Sequence, residues 1–234
     1  MEETLITNTM KRSNILTRFR STLSIIALLV LGAGTAASQS FNVPGGGEKL
    51  VTMNDKVNQN QFIWVSDAPL ENTRGTSEGV AGTLTMDTRD LSKIRGTITT
   101  QVSTMKSGNE TRDHHLKSAE WLDASRFPLI SFTITGVSNI TVNGNSATGT
   151  ATGNFTMHGV TKQMPIPFTI KYVPESAKTR ERAPGDLVMI SADFNVSLKD
   201  YKVTGQEGTI GNKVGETIKI TAQLFGNALP KAAQ

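Results

Sequence analysis

The stretch MPIPFTIKYV, residues 164–173, decides the fold class because apolar side chains occupy every second position along it. One face of this segment carries Met164, Ile166, Phe168, Ile170 and Tyr172. The opposite face includes Thr169 and Lys171. Successive side chains of a β-strand point to opposite faces, so this segment predicts a strand with one buried and one solvated face.

The same alternation continues through most of the chain beyond residue 60. It is strong at 188–198 and 218–224 and weaker in five earlier segments, at 61–66, 78–87, 93–105, 129–142 and 146–157. A short lead-in strand near 48–53 precedes them. Turn-forming clusters such as VNGN at 142–145 separate the segments. The sequence therefore predicts an all-β protein of about eight antiparallel strands after the lead-in strand.

Strand length separates the two architectures that this pattern allows. Sandwich strands are usually shorter than these segments of about ten residues, which favours a closed barrel. No repeat, low-complexity tract or linker divides residues 39–234, so we expect one domain there. The charged, proline-flanked segment 173–186 has no periodicity and predicts a long, mobile hairpin loop.

The N-terminal residues have the three-part pattern of a secretory signal. Four basic residues precede an apolar run at 23–33, which the small-residue stretch GAGTAASQS at 32–40 follows. The apolar run is too short to span a bilayer. We expect residues 1–38 to be removed as a signal peptide, with Met10 as an alternative start. The mature chain is then periplasmic or secreted and has no integral membrane span.

Composition excludes several classes of protein. Cysteine is absent, which excludes disulfides, thiolate metal sites and a cysteine nucleophile. Residues 1–38 hold four of the 24 Lys and Arg and two of the 20 Asp and Glu, so the mature chain has a net charge near +2. A net charge this small, without a long run of basic residues, gives no indication of a basic surface that binds nucleic acid.

Two of the three histidines are adjacent, in the stretch RDHHLKSAEWLDASRFPLISF at 112–132. Asp113 is a suitable N-cap, and the residues after it predict a short helix that crosses from one strand to the next. On this helix His114 and His115 point about 100° apart, whereas helical metal ligands are spaced three or four residues apart. Structural or solvent-exposed histidines are the favoured interpretation. A metal or acid–base role together with His158 is the alternative.

Small side chains form one face of the segment ATGTATGNFTM at 147–157. They are Ala147, Gly149, Ala151 and Gly153. Such a face either lets another backbone approach closely or leaves room inside a barrel.

Three segments together resemble the YceI-like family of bacterial secreted lipid-binding proteins. They are residues 112–132, ATGNFTMHGVTKQMPIPF at 151–168 and ISADFNVSLKDYKVTG at 190–205. The resemblance covers residues 49–226 and rests on the order and spacing of the three segments together. It implies an eight-stranded antiparallel, lipocalin-like barrel with one short helix and a hydrophobic bore, and a homodimer as one assembly that such proteins form.

The resemblance also implies a ligand, an apolar lipid such as a polyisoprenoid or an isoprenoid quinone, whose tail lies in the bore. It implies no cofactor and no metal. The residues expected to line the bore are Trp64, Trp121, Phe127, Phe132, Ala151, Phe155, Ile166, Phe168 and Phe194.

We therefore expect a lipid-binding protein that holds a long apolar tail for carriage or sequestration, and not an enzyme. One alternative is a β-scaffold with a filled core that acts as an interaction or stress protein. A histidine-dependent enzyme is the other alternative, with less support. No Ser-His-Asp spacing, glycine-rich phosphate loop or paired-carboxylate motif stands out in its favour.

Overall fold

The computed structural model describes residues 39–53 and 60–230, in which ten strands form one antiparallel sheet. The strands are β1 (Glu48–Met53), β2 (Gln61–Asp67), β3 (Asn72–Ser77), β4 (Ala81–Asp87), β5 (Asp90–Gln101), β6 (Leu129–Asn143), β7 (Ser146–Met157), β8 (Val160–Val173), β9 (Asp186–Ser197) and β10 (Thr217–Pro230). The helices are α1 (Glu110–Lys117), α2 (Ala177–Arg180) and two 3₁₀ turns, Val102–Thr104 and Lys199–Tyr201. Within these described residues, no helix has the length and hydropathy needed to cross a membrane.

Eight of the strands close into an antiparallel barrel. Their order is β1-β4-β5-β6-β7-β8-β9-β10, and β10 pairs back with β1 to complete the ring. The second half of β10 pairs with β1, while its first half, from Ile218 to Gln223, pairs with β2. The hairpin β2–β3 therefore lengthens the wall at one end. The prediction of an eight-stranded barrel is confirmed.

A side chain continues the ladder in the gap between β1 and β2. Asn60 is 2% exposed, and its amide nitrogen donates to the carbonyl of Phe225, 3.0 Å away. The backbone N–H of Phe225 donates in return to the amide oxygen of Asn60. This pair of bonds imitates the exchange between two backbone residues, so both backbone polar groups of Phe225 are satisfied by Asn60.

The helix near the histidines begins four residues earlier than the sequence predicted. Asn109 is the N-cap, and its side chain accepts a hydrogen bond from the backbone N–H of Arg112 at 3.0 Å. The expected cap, Asp113, lies inside the first turn. Its carboxylate accepts two hydrogen bonds of 2.6 Å from the backbone N–H and the hydroxyl of Ser107. Both side chains tie the start of α1 to the preceding turn.

The segment 173–186 joins the antiparallel strands β8 and β9, as predicted for a hairpin loop, but it also has local structure that the sequence did not predict. It contains α2, whose N-cap Ser176 forms a capping box with Thr179. The carboxylate of Glu175 accepts a 2.6 Å hydrogen bond from the backbone N–H of Gly185, which joins the two ends of the segment. Local capping and this cross-loop bond supply the order that the lack of periodicity did not predict.

Candidate functional site

The barrel encloses a cavity of about 480 Å³. This volume lies within the usual range for small-molecule sites, about 300 to 1,000 Å³. The walls come from the inward faces of the strands. The inward side chains of β9 are Ile190, Ala192, Phe194 and Val196, and those of β10 are Ile218, Ile220, Ala222 and Leu224. The alternation that predicts the strands thus also produces the apolar lining.

Eight of the nine residues proposed from the sequence line this cavity. They are Trp64, Trp121, Phe132, Ala151, Phe155, Ile166, Phe168 and Phe194. The ring of Phe155 packs edge-on against the ring of Phe194, with centroids 5.9 Å apart. Edge-to-face packing fixes the orientation of both rings, so they form a preformed part of the wall.

Phe127 is the exception, because it lies outside the cavity lining. Its ring packs edge-on against the ring of His158, with centroids 5.2 Å apart, and the guanidinium of Arg126 lies over it at 5.0 Å. The residue belongs to the turn before β6, where the period-two pattern does not determine which way a side chain points. The prediction that Phe127 lines the bore is therefore wrong. Its ring packs against the turn between β7 and β8 instead.

The small residues of β7 face inward, which decides between the two alternatives that the sequence left open. Ala147, Gly149, Ala151 and Gly153 are buried on one face of the strand. A Cβ atom added to Gly153 would lie 2.8 Å from the ring of Phe132, and one added to Gly149 would lie 3.1 Å from the ring of Phe168. Both glycines therefore make room for aromatic rings of neighbouring strands, while Ala151 itself borders the cavity.

The charged lining residues are confined to one end of the barrel. Among the described residues of the lining they are Glu71, Arg112 and Lys213, joined there by His115. A guanidinium nitrogen of Arg112 lies 3.7 Å from a carboxylate oxygen of Glu71, and each side chain is 41% exposed. An ion pair this exposed contributes little to stability. We call these four residues the polar collar; they lie at one end of a predominantly apolar cavity.

The three histidines do not converge on one site. His114 and His115 are exposed on α1, with ring centroids 6.4 Å apart. His158 lies in the turn between β7 and β8, where its Nδ1 is 3.0 Å from the carbonyl oxygen of Tyr201. Within the described part of the chain, no group of three or more His, Asp or Glu side chains has an arrangement that could hold a metal ion.

Several lining residues were missed by the sequence analysis because they lie outside the strands, in α1 or in turns. They are Met105, Leu116, Leu122, Val203 and Val214. These segments have no period-two pattern, and their contacts with the cavity depend on how the turns fold over the open end of the barrel. No local signal in the sequence could have identified them.

Comparison with known proteins agrees with this architecture. The model of the YceI-like domain matches residues 52–225. The chain belongs to the YceI-like family. Protein YceI of Salmonella newport (strain SL254) is 25% identical to it over 195 residues, which cover 83% of this chain and 92% of that protein.

Two solved structures are also similar in fold. Burkholderia cenocepacia BcnA has a TM-score of 0.58 at 16% identity, over 71% of this chain and 95% of that one. A polyisoprenoid binding domain from Saccharophagus degradans, implicated in plant cell wall breakdown, has a TM-score of 0.56 at 12% identity, over 79% of this chain and 99% of that one. At these identities the likeness demonstrates a shared fold.

Proposed function

We propose that this YceI-like protein binds a lipid by a long apolar tail of the isoprenoid type and carries or sequesters it. The observation that supports this proposal is the 480 Å³ cavity, closed on its sides by apolar strand faces and bordered by charge at one end only. A ligand with an apolar tail and a small polar end, such as a polyisoprenoid or an isoprenoid quinone, matches that distribution. The neighbouring fold of a polyisoprenoid binding domain supports the same ligand class.

The size of the cavity favours a long tail over a short ligand. At about 30 Å³ for each carbon-sized group, 480 Å³ accommodates on the order of 16 groups. Each buried methylene contributes about 0.8 kcal/mol, so a filling tail contributes about 13 kcal/mol. Association costs about 4 to 15 kcal/mol, which a ligand half as long would often fail to offset.

The N-terminal leader supports an extracytoplasmic site of action. Its basic, apolar and small-residue parts follow the order of a secretory signal, so the proposed location is the periplasm or the secreted fraction. A carrier in such a compartment keeps an apolar tail out of water. The alternative of a filled β-scaffold has less support, because a packed core would leave no cavity of this size.

Native mass spectrometry of protein isolated from the extracytoplasmic fraction without detergent tests the proposal. We expect a population heavier than the bare chain by the mass of one apolar lipid, which organic extraction removes. Tandem mass spectra of the extract should show losses of five-carbon units. Bare protein in every preparation, together with no uptake of added prenyl alcohol by a folded sample, would reject lipid binding.

A further inference from the structure

The cavity ends at a packed floor, at the end of the barrel opposite the polar collar. On four strands, the last inward residue that lines the cavity is followed, two positions further toward that end, by a buried residue outside the lining. The four pairs are Leu84 and Met86, Ile170 and Tyr172, Ile190 and Val188, and Leu224 and Gly226. Four strands thus change from open cavity to close packing toward this end of the barrel.

Tyr172 provides the largest side chain of this floor and is 1% exposed. Its hydroxyl donates a hydrogen bond to the carboxylate of Asp186. The same carboxylate lies 3.2 Å from the ammonium of Lys49 and accepts a 2.8 Å hydrogen bond from the backbone N–H of Glu175. Asp186 therefore joins β1, β8 and the segment 173–186, and it holds the phenol in one position.

Phe41 closes the core behind this ring. Its own ring is 5.6 Å from that of Tyr172, and the side chain is 5% exposed. The backbone N–H of Phe41 donates to the carbonyl of Thr88 at 2.8 Å, which anchors the N-terminal segment to the end of β4. The tyrosine ring is consequently held by its hydroxyl on one side and by an aromatic contact on another. Displacing it would break both.

We propose that Tyr172 is the stop that sets how much of a lipid tail the barrel accepts. This inference rests on the proposed function. Along β9 the lining runs from Val196 to Ile190, and six steps of about 3.3 Å along a strand tilted by about 40° give a depth of roughly 15 Å. Carbon units beyond this depth remain outside the collar and bury no further surface against the protein.

The consequence is a limit in the dependence of affinity on tail length. Below the limit, each added five-carbon unit buries new apolar surface and should raise the affinity at least about tenfold. Above the limit, a further unit should change the affinity by less than about threefold, because it does not enter the cavity. The stop therefore determines which lipids gain the full binding energy.

The test is a series of all-trans prenyl alcohols of two to eight units, whose Kd values are measured on protein freed of lipid. The Tyr172→Ala variant should move the plateau toward longer alcohols by at least one unit. The Tyr172→Phe variant is the matched control, because it retains the ring and removes only the hydroxyl. Its plateau should coincide with that of the unmodified protein.

A second variant keeps the test independent of the folding of Tyr172→Ala. Ala222 borders the cavity one inward position above Leu224, so Ala222→Phe should fill the deep end and move the plateau toward shorter alcohols. Unchanged plateaus in the folded variants, or an equal shift in Tyr172→Phe, would overturn the assignment of the stop while leaving lipid binding intact. Failure of every alcohol to bind the unmodified protein would instead reject the proposed function.

Discussion

Replacement of Ala151 by tryptophan should fill space that a lipid tail otherwise occupies. Ala151 is 5% exposed and borders the cavity between Val137 and Ile166, its neighbours on β6 and β8. The substitution adds nine non-hydrogen atoms, which, bonded in fused rings, take up roughly 140 Å³ of the 480 Å³ cavity. A tail would lose about five carbon-sized positions, equivalent to about 4 kcal/mol of burial. We expect Ala151→Trp to abolish lipid retention in a folded protein.

Ala147 provides a matched control on the same face of the same strand. It is 3% exposed but lies outside the lining, where its cross-strand neighbours are Val142 and Ile170. A tryptophan there has no cavity to enter and must displace packed neighbours. Overpacking typically costs about 1 to 3 kcal/mol, so Ala147→Trp should lower the melting temperature well below that of Ala151→Trp.

Two measurements on each variant decide the outcome: thermal unfolding followed by circular dichroism, and native mass spectrometry. The expected result is a nearly unchanged Tm without bound lipid for Ala151→Trp, and a clearly lower Tm for Ala147→Trp. Equal losses of Tm in the two variants would show that the space beside Ala151 is not available to a ligand. Lipid retained by Ala151→Trp at the level of the unmodified protein would refute the volume argument directly.

Three further predictions concern other parts of the molecule. His114→Ala and His115→Ala should change lipid affinity by less than about threefold, because both rings are exposed to water and even His115 of the polar collar therefore contributes little. His158→Ala should instead lower the free energy of unfolding by about 1 to 2 kcal/mol, because it removes a ring that supports its turn. Lipid binding assays check the first outcome and urea unfolding checks the second. Burial raises the pKa of Asp186, but hydrogen bonds from the tyrosine and a backbone N–H and the nearby lysine more than offset it and hold the pKa below its usual range. Its stabilising effect is therefore present above the unfolded-state pKa of about 3.9 and is lost as pH falls through the folded-state value, so Asp186→Asn should lower the Tm at pH 7 and flatten its decline in acid; an unchanged acid limb would contradict this. The secreted protein should begin within residues 38–40, and N-terminal sequencing that finds the intact leader on extracytoplasmic protein would exclude this processing.

Periodicity predicts the part of the site that lies on regular strands. Apolar alternation in β8 and β9 placed Ile166, Phe168 and Phe194 on the inward face, and all three line the cavity. β3 escaped prediction because two of its inward residues, Thr73 and Gly75, are small rather than apolar. A Cβ atom on Gly75 would lie 2.1 Å from the ring of Trp64 on β2. The absence of a side chain at position 75 therefore leaves room for the Trp64 ring.

Long-range contacts explain what the sequence did not predict at the floor. Lys49, Tyr172 and Asp186 form one network, although Lys49 is far from the other two along the chain. Each residue alone fits its strand or turn without suggesting a partner. Only the closure of β1 against β10, which pairs with β9, brings the lysine to the carboxylate. The contact between these three side chains at the floor thus depends on closure of the barrel.

One layer of side chains shows how this barrel remains hollow. Across five neighbouring strands, the inward residues at one level are Phe62, Ala222, Ala192, Phe168 and Gly149. An eight-stranded barrel is just wide enough for its own side chains to fill it, so five large residues in this layer would close the interior. The two alanines leave space at the centre, and the glycine lets the neighbouring phenylalanine ring lie against the wall. Aromatic residues therefore make the lining apolar without occupying the volume that the proposed tail requires.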